Sequence, residues 1–508
     1  MNDSEWPSAD NGVSHAPAGE TSVTDRPVRT VVRNFTFMLT SHGLTWALSI
    51  IIMVLGPRIL SVTDVGNLRF AQAFVGFFAL VAPLGMTTYI VKTVARDSTI
   101  AGQLLYNALA IVAVWTAVLS VAALVGGHLL GYGRQVNSLL IVFCVIMVFT
   151  SLDQQTAATF QGLQKMGGLA VWAAIQELVA TVLGVFVLVR GWGAIWFAAT
   201  VMLSLAVQFV ANAWRARPLL SQRARLDPRL CRAMIIGGLP YLLNGAMLLI
   251  YGTIDIPILE HFAGSETVAW YAIAYQWIGV PSFFAAVVIT ALLPSLAAHG
   301  RTITPEAAAQ ANKALRLVSV FGAPVAVGLA LISSEGLALL YGGHYSHSAS
   351  VMQILSVHLP VVSIDMVFGT VLIAVDRQRA WLMVGIAAGV FNVLANFVVI
   401  PWTVREYGNG AVGSALITVA TELLVMVGAI LLRPSGVLDR STASFCSRAA
   451  LAALAMVPAV LAIDNAWIGF KVGLGMVVFG VAALVLRLGS PSDVRRGVRQ
   501  VRMATRRT

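Results

Sequence analysis

The sequence predicts an all-α polytopic membrane protein of about fourteen transmembrane helices, built as two pseudo-symmetric six-helix lobes plus an accessory helix pair. Composition, run length and internal repetition predict it. Of 508 residues, 58% are hydrophobic and 11% charged, against about 25% charged in a soluble globular chain. From Asn34 onward apolar runs follow one another, and a run of about 18 or more residues spans a hydrocarbon core about 30 Å thick. The runs form two blocks of six, separated by a basic stretch, and the blocks resemble each other.

Residues 1–33 are polar and lack the short apolar core of a signal peptide, so they read as a disordered cytoplasmic tail. The N-lobe, 34–213, holds runs near 35–57, 68–91, 103–126, 137–159, 169–190 and 194–213, bounded by Gly, Pro and charges. A basic cytoplasmic linker, 214–234, follows. The C-lobe, 235–432, holds runs near 235–259, 268–293, 314–335, 351–375, 381–401 and 410–432. An accessory pair near 447–463 and 467–486 fills the segment 447–486, with no cavity-type polar residue beyond Asp464. Residues 487–508 form a basic cytoplasmic tail.

The net charge of +11 would point to nucleic acid in a soluble protein, but here it orients the chain. With a cytoplasmic N-terminus, only Arg58, Arg69, Arg134, Arg190, Arg405 and Lys471 of the 33 basic residues fall outside. The positive-inside rule therefore predicts an even number of spans, with both termini cytoplasmic. The C-terminal arginines, Arg495 to Arg507, sit against anionic lipid at about 1 kcal/mol per basic residue, and no nucleic-acid partner is expected. Cys144 falls in an expected span, Cys231 and Cys446 in expected cytoplasmic connections. Their spacing makes neither a disulfide framework nor a metal site, and no cofactor is implied.

Within the repeat, Val65-Gly-Asn-Leu-Arg-Phe-Ala71 corresponds to Val268-Ala-Trp-Tyr-Ala-Ile-Ala274 at an offset of 203. Pro57 and Pro257 close comparable helices, and Gly193 and Gly410 open the sixth of each block. Equal helix numbers in one orientation predict a parallel repeat about an axis along the membrane normal, with a central cavity and rocking of the halves.

Further segments extend the pattern: Leu55-Gly-Pro57, Phe70-Ala71, Leu84-Gly85 with Thr88-Tyr89, Arg96, Phe160 to Gln164 and Leu239-Pro240. Tyr251 to Asp255 reads Y-x-x-x-D and Tyr271 to Tyr275 reads Y-x-x-A-Y. In order and spacing these resemble the polysaccharide flippases of the multidrug/oligosaccharidyl-lipid/polysaccharide exporter superfamily. The resemblance covers residues 35 to about 432. It implies a V-shaped transporter of the bacterial inner membrane, not an enzyme, that moves an undecaprenyl-diphosphate-linked oligosaccharide by alternating access for surface or exopolysaccharide biosynthesis. Its partners would be that lipid-linked substrate, membrane lipids and the polysaccharide polymerase machinery. A diphosphate and a sugar cannot cross hydrocarbon unaided, so such a protein must offer a polar cavity.

Ionisable residues at membrane depth face an interior and are functional candidates. Substrate candidates are Arg69, with Gln72 nearly one turn on, His42, and the face Asn244, Tyr251 and Asp255 at i, i+7 and i+11. A cation in the cavity matches a diphosphate, although a terminal Arg also snorkels to head groups. Helix one has no Arg between Asn34 and Pro57, unlike the arginine-rich cavity expected of the lipid II flippase branch. Ion-coupling candidates are Glu177, Glu422, and His358 with Asp365 seven residues on, Pro360 bending the helix between them. The stripe Gly385, Gly389, Asn392 and Asn396 reads as close helix packing.

Two other readings compete. A cation-coupled drug or metabolite antiporter of the same superfamily shares the lobes, but the extra pair at 447–486 favours the sugar-lipid branch. A membrane polysaccharide polymerase or ligase needs a large external loop, whereas the longest outer connection, near 336–350, holds only His344 and His347 as candidates. A channel is disfavoured because no pore-filter repeat is present.

Overall fold

A chain in lipid has no water to satisfy its backbone, so its apolar runs close their own hydrogen bonds as helices. The computed structural model describes residues 48–220, 225–297, 303–463 and 466–488. Helix α1, Leu48–Ile59, is short and apolar; the earlier part of the first expected span, with His42, lies outside the described residues. Helix α2, Val62–Val81, starts at Ser61, whose side chain accepts from the Asp64 amide. It continues, after a break, into α3, Met86–Arg96, the two axes bent by 43°. Gly85 makes that break: at φ 68° it occupies the left-handed region that glycine enters without strain. The N-lobe is completed by α4, Ala101–Leu129, α5, Arg134–Gly162, α6, Gly167–Val189, and α7, Ala194–Leu220.

The C-lobe comprises α8, Pro228–Thr253, α9, Asp255–Ala297, α10, Pro305–Tyr341, α11, His347–Ala374, α12, Gln378–Tyr407, and α13, Gly410–Leu432. Within α9 the chain turns at Gly264, φ 77° and ψ 172°, which separates the seventh span from the eighth. The accessory segment forms α14, Arg440–Leu454, α15, Met456–Leu461, and α16, Ile468–Val485. Asp439 caps α14, its carboxylate accepting from the Thr442 amide at 2.7 Å.

Among the described residues eleven helices are long and apolar enough to cross a membrane, or twelve if α2 and α3 count as one bent span. Helices α1 and α8 stand outside that tally, in the places of the first and seventh expected spans, so the count of fourteen is not established by length and hydropathy. The lipid-facing character is plain on α4, where Val114, Val118, Val121, Val125 and Leu129 are all exposed along one stripe. Exposed Trp192, Trp196, Trp402, Tyr407 and Trp467 gather at one end of the bundle, as aromatic residues do at a membrane interface. Arg96, Arg217, Arg377, Arg433 and Arg440 border the other. These are called below the Trp192 end and the Arg96 end.

Several sequence expectations change. Helices α7 and α8 take up all of the expected 214–234 linker except residues 221–227. The connection expected at 336–350 shrinks to a short 3-10 turn, Gly342–Tyr345; His347 opens α11 and its ring lies 4.4 Å from that of Trp270. Cys231 and Cys446 lie within α8 and α14, not in connections. On α12, Asn392 does bond across to Thr421 of α13 at 3.1 Å. A Cβ on Gly385 or Gly389, however, would meet nothing within 4 Å, so those glycines do not mark a close helix approach. Lys471, read as an outer residue, sits in the first turn of α16, buried, and pairs with Glu335 of α10 at 2.5 Å. The accessory pair thus carries a polar residue beyond Asp464, which itself lies outside the described residues.

Candidate substrate cavity and intramembrane polar sites

The two lobes meet along α2–α3 on one side and α8–α9 on the other. Toward the Trp192 end, a Cβ built on Gly66 would lie 1.7 Å from the Ser265 carbonyl oxygen, so only glycine permits this approach. Ser265 Oγ donates to Asn67 Oδ1 at 2.6 Å, and Thr63 Oγ1 donates to Glu266 at 3.1 Å. Thr63 and Glu266 are 203 residues apart, the offset of the sequence repeat. A residue that touches its own repeat equivalent lies close to the pseudo-symmetry axis, so this seam runs along that axis. Toward the Arg96 end a second seam forms. A Cβ on Gly85 would lie 2.1 Å from the Gly238 oxygen, one on Gly237 would strike the Tyr89 ring, and Lys92 Nζ donates to the Tyr241 hydroxyl at 2.7 Å.

Between the seams lies a cavity of about 490 Å³, walled by Arg69, Gln72 and Gly76 of α2 and by Tyr271, Tyr275 and Gln276 of α9. Arg69 donates to Gln276 across the lobes and lies 3.5 Å from Gln72 Oε1. The hydroxyls of Tyr271 and Thr418 of α13 are hydrogen-bonded at 2.9 Å. A second cavity of about 390 Å³ opens inside the N-lobe among α1, α2, α6 and α7. Arg69, Gln72 and Gln276 line both, so these three side chains stand at the junction.

Behind the tyrosine wall the C-lobe interior is polar. Asp255 is 4% exposed, with Oδ1 lacking a hydrogen-bond partner. The rings of Tyr275 and His358 are 6.1 Å apart, and His358 Nδ1 stands 3.7 Å from Glu422 Oε2. That is an ion-pair distance but too long for a hydrogen bond, and neither atom has another partner. Both carboxylate oxygens of Asp365 are buried without partners. In the N-lobe, by contrast, Asp153 accepts from Gln208 and Asn212 at 2.8 and 2.9 Å, and Glu177 accepts from Ser49 at 2.6 Å.

Residues 31–299 match the family described as polysaccharide biosynthesis protein, more than half of the chain. The chain belongs to that family. No curated protein sequence matches it. Among solved structures it is similar to the lipid II flippase MurJ in an inward closed conformation, at 14% identity, with 89% of this chain and 98% of that one covered and a TM-score of 0.73. It is also similar to a multidrug resistance MATE family transporter of the MOP superfamily in an inward-facing conformation, at 17% identity, 76% and 93% coverage, and a TM-score of 0.60. A MOP superfamily transporter from Pyrococcus furiosus matches at 15% identity, 83% and 96% coverage, and a TM-score of 0.55. At such identities these likenesses show the fold, which is that of the MOP transporters.

In this polysaccharide biosynthesis protein the structure brings Arg69 and Gln72 to the cavity wall. Asp255 is placed behind that wall, since its neighbour Ile256 lines the cavity. The side chains of Asn244 and Tyr251, like the whole of His42, lie outside the described residues. The carboxylate beside His358 is Glu422 of α13 and not Asp365 on its own helix, because helical spacing cannot report which neighbouring helix packs against a face. Sequence reasoning missed Gln276, which lies two residues beyond the repeat segment Val268–Ala274, and took Tyr275 only as the end of the Y-x-x-A-Y pattern.

Proposed function

We propose that this protein is a flippase that moves an undecaprenyl-diphosphate-linked oligosaccharide across the bacterial inner membrane by alternating access. The observation that carries the reading is the interlobe cavity: a cation, Arg69, stands in its wall, and the lobes touch beyond both of its ends. Membership of the polysaccharide biosynthesis family supports a sugar-bearing substrate over a drug. The helices beyond the twelve spans of the lobes, α14 to α16, support the same branch.

In this reading Arg69 meets the diphosphate through charge-assisted hydrogen bonds, and Gln72 and Gln276 complete the head-group site. Asn244 and Tyr251, both in α8, remain candidates for contact with the sugar. One seam at a time opens, so the head group is exposed to one leaflet and then to the other while the lipid tail stays in the bilayer. Both termini are cytoplasmic, which puts the Trp192 end outside.

Ion coupling is assigned to the C-lobe. Asp255, His358, Asp365 and Glu422 are buried with unpartnered polar atoms, and the His358 ring lies 6.1 Å from that of Tyr275, which lines the cavity. A cation or proton bound there would compensate buried charge and bias the lobe's packing against α2. No catalytic step is required, and the polymerase machinery is expected as the consumer of the flipped product.

The test is transport in vesicles. Purified protein should move a fluorescent lipid-diphosphate-linked saccharide between leaflets, with Arg69→Ala at normal abundance abolishing the movement and Arg69→Lys keeping part of it. Full transport by Arg69→Ala would make Arg69 a head-group anchor and sink the assignment.

A further inference from the structure

The N-lobe cavity is not needed to explain the interlobe site, yet it shares a wall with it. Away from the junction residues, its polar groups come from α1 and α6. On α6, Glu177 and Thr181 stand four residues apart and so project from one face. From α1, Ser49 donates to Glu177 Oε1 at 2.6 Å. Thr181 is 4% exposed and its Oγ1 has no hydrogen-bond partner, an arrangement uncommon in folded proteins and one that a ligand or water would relieve. Gln176, also in the wall, donates to Ser204 of α7 at 3.1 Å. The volume, about 390 Å³, falls within the roughly 300–1,000 Å³ usual for small-molecule sites.

The neighbours distinguish this cavity from an ion site. In the C-lobe both carboxylate oxygens of Asp365 and Oε2 of Glu422 lack hydrogen-bond partners, a setting in which a bound ion would compensate buried charge. Glu177 instead keeps a hydroxyl partner and faces open volume, the setting in which a carboxylate accepts from hydroxyl or amide N–H groups. Arg69, Gln72 and Gln276 at the junction mean that a phosphate held by Arg69 has one side turned to the interlobe cavity and the other to this one.

We propose that the N-lobe cavity is the subsite for the phosphate-proximal sugar, with Glu177 and Thr181 bonding its hydroxyl and amide groups while Arg69 holds the adjoining phosphate. This rests on the flippase reading. It assigns Glu177 to substrate specificity and removes it from ion coupling. A head group without a sugar would engage Arg69, Gln72 and Gln276 and leave Glu177 and Thr181 unused.

The experiment measures binding to the purified full chain in lipid nanodiscs. Two probes are used: a short-chain prenyl diphosphate, and the same lipid carrying one N-acetylglucosamine. Wild type should bind the sugar-bearing probe about tenfold more tightly, the size of one or two hydrogen bonds that include a charged acceptor. Glu177→Ala and the milder Thr181→Val should each remove most of that difference and leave the sugarless probe within about twofold of wild type. Arg69→Ala should weaken both probes. The subsite is refuted, with the flippase reading intact, if wild type binds both probes equally or if the two α6 variants weaken both alike. If wild type binds neither probe, the flippase reading itself fails and the subsite falls with it.

Discussion

Gly66→Ala is the sharpest probe of the two-seam arrangement. The added Cβ would sit 1.7 Å from the Ser265 carbonyl oxygen and 2.4 Å from its carbonyl carbon, where contact distances of roughly 3.5 Å are comfortable. The obstacle is backbone, so no rotamer relieves it. The lobes must separate here by well over an ångström, which weakens the Ser265–Asn67 and Thr63–Glu266 hydrogen bonds. Overpacking of this kind costs about 1–3 kcal/mol, and at the upper figure the ratio of closed to open forms at this seam falls about a hundredfold. The assay places cysteines at Thr63 and Glu266, or at Lys92 and Tyr241, in a background with Cys144, Cys231 and Cys446 replaced by serine. A short bifunctional thiol reagent then reports each seam. Gly66→Ala should suppress cross-linking of the 63/266 pair and leave the 92/241 pair at or above its starting level. Unchanged 63/266 cross-linking in folded protein would refute the close approach as the basis of closure at the Trp192 end.

Other perturbations test separate links. Lys471→Met leaves Glu335 without its partner; because Glu335 is 40% exposed the loss should be about 1–2 kcal/mol, below the 3–5 of a fully buried pair, read as a lower melting temperature that Glu335→Gln in the same chain partly restores. Asp439→Ala removes the cap of α14 and should cost about 1 kcal/mol. The Asp439 carboxyl is held below its ordinary range by hydrogen bonds from Thr442, first its side chain and then its backbone. Its contribution is therefore present above the unfolded value and is lost as pH falls through the folded one; Asp439→Asn should keep the cap and erase that acid sensitivity, measured by melting from pH 6 downward on the order of three units. Asp255→Asn should weaken transport less than Arg69→Ala, and Glu422→Gln should flatten its dependence on an imposed cation gradient. Deleting residues 447 to 486 should impair long-tailed lipid more than short-tailed analogues; equal loss would remove these helices from the lipid path.

Much of the architecture was legible because lipid imposes a simple rule on sequence. Apolar runs became helices, Gly264 and Gly408 fell at turns, and the repeat found at Val65 and Val268 lies at the lobe interface, where both residues join one buried cluster. What stayed hidden depends on rotation about helix axes. A spacing of seven placed His358 and Asp365 on one face, but Glu422 approaches His358 from α13, and nothing in α11 alone announces that neighbour. Lys471 looked like an outer anchor because its partner Glu335 lies 136 residues away. Arg69 was found because a cation in an apolar run is conspicuous; Gln276, its acceptor from the other lobe, is an ordinary amide until the lobes are assembled.

The repeat also explains why the lobes must differ chemically. Near a pseudo-twofold axis each residue faces its own equivalent, so identical charges at equivalent positions would repel across the seam. The sequence avoids this: Thr63 opposes Glu266, and Arg69, shifted by 203, corresponds to Ala272, while Gln72 corresponds to Tyr275. The N-lobe therefore presents the cation at the junction and keeps its carboxylates partnered, Asp153 by two amides and Glu177 by Ser49. The C-lobe presents tyrosines to the cavity and holds Asp255, Asp365 and Glu422 behind them with unpartnered oxygens. In the proposed flippase such a division would let one lobe grip an anionic head group while the other changes charge state, and because both border the same cavity each event would bear on the same two seams. An exchange of the roles is testable: moving the cation across the axis, as Arg69→Ala with Ala272→Arg, keeps a positive charge in the cavity but brings it to the acidic lobe. If the lobes are specialised as argued, the double variant should bind a prenyl diphosphate yet fail to transport it, whereas full transport would show that only the presence of a cation in the cavity matters.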